Sequence, residues 1–147
     1  MIVVDTGPIV AASFVRERHH RACVDLFTSA HLAGERLVVP SPVITEVCSM
    51  LAREGGARAE AAFLTSIADG DLAVAELDAE DWRRTAELVI QYGDLPLGGV
   101  DASVVAVAER LGVSEVATVD RRHFSVVRRV TCRRGPFCHR TDFFCSG

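Results

Sequence analysis

Short apolar runs rich in β-branched residues punctuate the chain at positions 2–4, 36–39, 72–77 and 115–119, and stretches with helical spacing separate them. The stretch 7–14 has Pro8 in its first turn, and "SPVITEVCSML" offers Ser41 as N-cap with Pro42 at the first helical position. In "AEDWRRTAELVIQY" the residues Trp82, Ala86, Val89 and Ile90 form one stripe, predicted to face the core, behind Asp78 as cap. "DASVVAVAERLG" is apolar almost all round until Glu109 and Arg110 and stops at Gly112, so this helix is expected to be deeply buried. "REGGARAE" predicts a turn between two helices. Strands alternating with helices imply an α/β fold, a three-layer sandwich with a central parallel sheet flanked by helices. Ligands in such folds bind beyond the carboxyl ends of the strands.

Composition narrows the class. At 147 residues the chain suits one domain, and its apolar runs are far short of the roughly 20 residues of a membrane span. Asp5 inside the first apolar run, with no basic segment before it, does not read as a secretory signal. Five cysteines without a CxxC pair point to reduced thiols and a cytoplasmic protein. All 16 basic residues are arginine and asparagine is absent, the bias of a GC-rich genome. Residues 128–147 hold five arginines against one aspartate; with a net charge of −4 overall, the first 127 residues carry −8. An acidic body of this kind is not a simple basic clamp for nucleic acid.

The carboxylates sharpen the picture. Asp5 ends the first strand and Asp120 follows the strand at 115–119, which puts both at one edge of the sheet. Asp101 opens the buried helix on a face that is otherwise apolar, and Glu46 lies among Val43, Ile44 and Val47 early in its own helix. Two carboxylates about 4 Å apart repel by roughly 4 kcal/mol at an effective dielectric of about 20, so a bare cluster would have to take up protons. A hard divalent cation, Mg²⁺ or Mn²⁺, removes the conflict and leaves positions for water and phosphate. Such an ion lowers the pKa of its water and stabilises charge on a phosphodiester. The remaining acids at 69, 71, 78, 80 and 81 read as solvated, and His19 and His20 as solvent-facing residues at a helix start. No P-loop, GxGxxG or GxSxG occurs, the absence of lysine excludes a receiver domain, and Gly7 stands where a haloacid-dehalogenase-like phosphatase needs a second aspartate.

"MIVVDTGPIVA", "VVPSPVITEV", "LPLGGVDASVVAVAERLG" and "VATVDRRHFSVV", in this order, resemble the four motif blocks of the PIN-domain family, specifically its VapC-type toxin ribonucleases. The resemblance covers residues 1–128 and implies a PIN-like nuclease domain there. By position, it makes Asp5, Glu46, Asp101 and Asp120 the catalytic and metal-holding quartet, with Thr6 and Thr118 as supporting hydroxyls. It implies a bacterial, Mg²⁺- or Mn²⁺-dependent endoribonuclease that cleaves RNA through a metal-bound water. It further implies a homodimer inhibited by a small cognate antitoxin of the VapB kind. Arg121 and Arg122 are candidate RNA contacts. Residues 129–147 depart from the family pattern as a basic, cysteine-containing tail. Cys132, Cys138, His139 and Cys145 there lack the paired spacing of a zinc site. The competing readings are a non-catalytic PIN-like interaction module and a related nuclease acting on DNA.

Overall fold

A computed structural model of the chain describes residues 1–94 and 97–120. The expectations for Arg121, Arg122 and the tail 129–147 lie outside these residues. Among the described residues, four parallel strands form the central sheet: β1 (Ile2–Val4), β2 (Leu37–Pro40), β3 (Ala73–Ala75) and β4 (Val116–Ala117). Helices α1 (Thr6–Ser13), α2 (His20–Leu32), α3 (Ser41–Ala68), α4 (Ala79–Gln91) and α5 (Gly99–Arg110) flank it. Every strand follows an apolar run named above, and the α/β sandwich is the architecture found.

The strand order is β3-β2-β1-β4. From β1 the chain steps outward to β2 and β3, then crosses back to place β4 on the other side of β1. Val3 pairs with Val38 on one side and Val116 on the other, and the Asp5 amide donates to the Ala117 carbonyl at 3.0 Å. The reversal of winding between β1 and β4 opens a crevice at their carboxyl ends, the usual ligand position in an open parallel sheet. Asp5, Thr118 and Asp120 all sit at that point.

The core is aliphatic: Val3, Val4, Val39, Val43, Val47, Leu51, Val104, Val105, Val107 and Val116 have no exposure. Burying each such side chain contributes about 1.5–3 kcal/mol, so β1 and α5 are the most firmly held elements of the frame. The whole of α5 from Ala102 to Ala108 is buried, as its sequence predicts. Gly56, at φ 69°, breaks α3 where "REGGARAE" predicts a turn. Among the described residues no helix is long and apolar enough to cross a membrane.

Three local expectations are corrected. Ser41 is the first helical residue of α3, behind Pro40 at the cap position, and no side chain caps this end. His20 is half-buried, with Nδ1 3.0 Å from the Ala11 carbonyl oxygen, and His19 is half-buried too; neither is simply solvent-facing. The stripe on α4 is turned outward: Trp82, Ala86, Val89 and Ile90 are exposed, whereas Asp81, Thr85 and Leu88 are buried.

The last correction has a polar cause. Asp78 caps α4 by accepting from the amides of Glu80 and Asp81, at 2.8 and 2.9 Å, and these donors hold its carboxyl below the usual range. Asp81 closes the box by accepting the Asp78 amide, and it also takes Arg110 Nε of α5 at 2.8 Å. Asp81 is 3% exposed, so it is not the solvated acid its sequence context suggests. Arg84 reaches Glu109 through two nitrogens, at 2.7 and 3.2 Å. Two ion pairs thus fix which side of α4 meets α5, against the pull of the apolar stripe.

Candidate active site

The site is built from four chain segments. β1 ends in Asp5, whose Oδ1 accepts the Thr6 amide at 2.7 Å and so caps α1. Its Oδ2 accepts from the Thr118 hydroxyl at 2.8 Å. Thr118 in turn accepts the amide of Asp120 at 3.0 Å, so one hydroxyl ties the end of β1 to the segment after β4. Thr6 carries the other link: its hydroxyl donates to Glu46 Oε2 of α3 at 2.5 Å. Asp101 lies in the first turn of α5, where its Oδ2 accepts the Gly98 amide at 3.2 Å.

Burial differs sharply among these acids. Asp5 is 5% exposed, Asp101 and Asp120 are half-buried, and Glu46 is exposed. Loss of water pushes the Asp5 carboxyl up to about 7, and the charges of Asp101 and Glu46 push the same way. The donors Thr118 and Thr6 N–H oppose that shift without cancelling it. Asp5 is therefore a carboxylate placed where its charge is costly, at the focus of two further carboxylates.

Thr118 links Asp5 to the Asp120 backbone, Thr6 lies between Asp5 and Glu46, and Asp101 comes near enough for its charge to act on Asp5. Among the described residues, however, no three His, Cys, Asp or Glu side chains stand close enough to hold an ion as they are arranged here. Asp5, Glu46 and Asp101 each accept instead from a neighbouring hydroxyl or amide, which satisfies lone pairs on these carboxylates. The donor set consists of carboxylate and hydroxyl oxygens, which suits a hard divalent cation and not a soft one. Asp5 supplies the specific sign of fit, since a cation beside it would remove the cost of its burial.

Sequence reading missed the close approach behind this site. A Cβ built on Gly7 would stand 2.3 Å from Val119 Cγ2, so the start of α1 and the residue between Thr118 and Asp120 are in contact. The glycine in "DTGP" was the available signal.

A separate groove of about 670 Å³ lies away from the acids, between α1, α2 and the second half of α3. Its lining includes Ile9, Phe27 and Phe63 together with the acids Glu35 and Asp71. The structure thus has a polar crevice at the switch point and an apolar groove elsewhere.

The PIN domain model matches residues 2–130. Ribonuclease VapC26 of Mycobacterium tuberculosis is 31% identical over 129 residues, which span 88% of this chain and 93% of that protein. Among solved structures, M. tuberculosis VapC20, described as a Sarcin-Ricin loop cleaving toxin, superposes with a TM-score of 0.76 at 20% identity, covering 86% of this chain and 95% of that one. The DNA-bound VapBC of Salmonella typhimurium gives 0.65 at 19% identity, over 90% and 98% of the two chains. FitAcB of Neisseria gonorrhoeae gives 0.63 at 15% identity, over 90% and 97%.

Proposed function

Since the chain belongs to the PIN-domain family, among its VapC-type toxin ribonucleases, we propose that it is the toxin of a toxin–antitoxin pair and a divalent-metal-dependent endoribonuclease. The observation that carries the reading is the buried Asp5, driven up to about 7 by burial and by Asp101 and Glu46. Asp5, Asp101, Glu46 and Asp120 would hold Mg²⁺ or Mn²⁺. When bound, the ion supplies Lewis acidity toward the scissile phosphate and lowers the pKa of water.

The chain's own residues prepare that chemistry. Thr118 holds Asp5 Oδ2 and the Asp120 backbone in one fixed relation, and Thr6 holds Glu46. With its carboxyl at about 7, Asp5 is partly protonated near neutral pH and would give up that proton on holding a cation. The rigid strand β1 and the buried helix α5 deliver Asp5 and Asp101 to fixed points. Arg121 and Arg122, next after Asp120 in sequence, are assigned to RNA phosphates. We assign the apolar groove that Glu35 and Asp71 help to line to a cognate antitoxin. The domain is assigned to residues 1–128, and the active species to a homodimer.

RNA cleavage with Mn²⁺, with excess chelator, and by Asp5→Asn and Asp101→Asn tests the assignment. Activity confined to the parent with metal is expected. Full cleavage in chelator or in either variant would overturn it.

A further inference from the structure

The arginines of the described residues divide by use. Arg83, Arg84 and Arg110, on α4 and α5, each meet a carboxylate. Arg16, Arg18 and Arg21, by contrast, stand exposed around the turn between α1 and α2, and their side chains make no ion pair among the described residues. Glu17 is the only acid between Phe14 and Arg21. Arg58, just past the break in α3, is exposed and equally without an ion pair among the described residues. Arg53, just before the break, meets only its neighbour Glu54, at 3.2 Å, in an exposed pair of a kind that contributes little.

The fold joins these two segments and leads both back to the acids. A Cβ built on Gly55 would stand 2.9 Å from Phe14 Cε1, so the turn after α1 and the break in α3 are in contact. Arg16 follows that contact by two residues and Arg53 precedes it by two. Between its cap Asp5 and Phe14, α1 has only eight residues, about 12 Å of helix. Arg53 comes seven residues after Glu46 on α3, which puts it on the same side of the helix, about 10 Å further on.

We propose that the α1–α2 turn, with the break in α3 beside it, is a platform for the sugar–phosphate backbone of RNA, gripping phosphates a few nucleotides from the scissile one. The inference rests on the ribonuclease reading above and adds where the substrate is held outside the acid crevice. The first 127 residues carry −8, so a polyanion nearing the crevice meets repulsion unless positive charge is available along its path. Guanidinium groups without a carboxylate partner can turn onto phosphates without breaking an existing pair, and their planar fork matches two phosphate oxygens. Three of them within six residues, on a turn that starts one short helix away from Asp5, supply that charge where the strand would leave the crevice.

The test uses the full chain, with RNA cleavage in Mn²⁺ and, in chelator, fluorescence anisotropy of a labelled single-stranded RNA. The triple variant Arg16→Ala, Arg18→Ala, Arg21→Ala should raise KM and the RNA Kd by at least about tenfold and leave kcat within about twofold. Its slope of log Kd against log salt should shrink by about 2, the change for three lost phosphate contacts on a single strand. The corresponding triple lysine variant should keep most of the affinity. Arg36→Ala, which removes another exposed arginine just before β2 at the opposite edge of the sheet, should change neither KM nor Kd. A cleaving parent whose KM, Kd and salt slope are unmoved in the triple alanine variant overturns the platform and leaves the ribonuclease reading intact. A parent that binds RNA through these arginines without cleaving it overturns the ribonuclease reading and keeps the platform; one that does neither overturns both. A triple alanine variant that loses binding to polyglutamate but holds RNA like the parent assigns the turn to an acidic protein, and also overturns the proposal.

Discussion

Thr118 and Asp5 lie 113 residues apart in sequence, yet the hydroxyl of one donates to Oδ2 of the other at 2.8 Å, inside the crevice between β4 and β1. The same hydroxyl accepts the Asp120 amide at 3.0 Å. One oxygen therefore sets both the orientation of the most buried carboxylate and the path of the chain that leaves β4.

Thr118→Val keeps the shape of the side chain and removes this link. RNA cleavage and metal affinity should fall by roughly 10–100-fold, the usual cost of losing a group that orients a metal ligand. Thr118→Ser, which keeps the donor, should retain most of both. Metal titration by calorimetry alongside cleavage assays would show it, and a fully active valine variant would exclude the role.

Asp5 should make the metal-free fold sensitive to pH. Its carboxyl stands at about 7 in the fold against an ordinary 3.8. The folded state keeps a proton that the unfolded chain gives up, so this contribution is fully present below pH 3.8 and is lost as pH rises through about 7. Asp5→Asn should accordingly stabilise the chelated protein at pH 8 by on the order of a few kcal/mol, and hardly at all near pH 4. Urea unfolding at the two pH values decides it; equal effects at both would refute the account.

Gly7→Ala should destabilise the chain by about 1–3 kcal/mol and lower cleavage, because its Cβ would meet Val119 at 2.3 Å and displace the segment leading to Asp120. Adding Val119→Ala should recover much of the loss. Absence of any coupling in this double-mutant cycle would show that the contact does not position Asp120.

Arg110→Met should leave Asp81 buried without its cation. The cost should be about 2 kcal/mol, below the 3–5 of a fully buried pair because Arg110 is itself partly exposed. Asp81→Asn in the same background should regain part of it, as read from urea midpoints.

Much of this was legible in the chain itself. β1 and α5 are so uniformly apolar that only burial accommodates them, and Asp5 and Asp101 stand out against them as charges in need of a reason. Asp78 announces its cap through the acids that follow it. The face of α4 was not legible, because hydrophobic periodicity ranks sides by apolar content. Here Arg110 and Arg84, from two different helices, choose the side through partners 29 and 25 residues away. Ser41 likewise has the chemistry of a cap but falls one residue inside the helix that Pro40 begins.

The break at Gly56 divides α3 between two tasks. Before it, the helix carries Glu46 to the acid crevice; after it, Phe63 and its neighbours wall the apolar groove. An unbroken helix of 28 residues would run about 42 Å in a straight line and could not return to cover α1. A single residue with positive φ thus lets one continuous stretch of chain present a carboxylate to the polar crevice and an aromatic wall to the apolar groove.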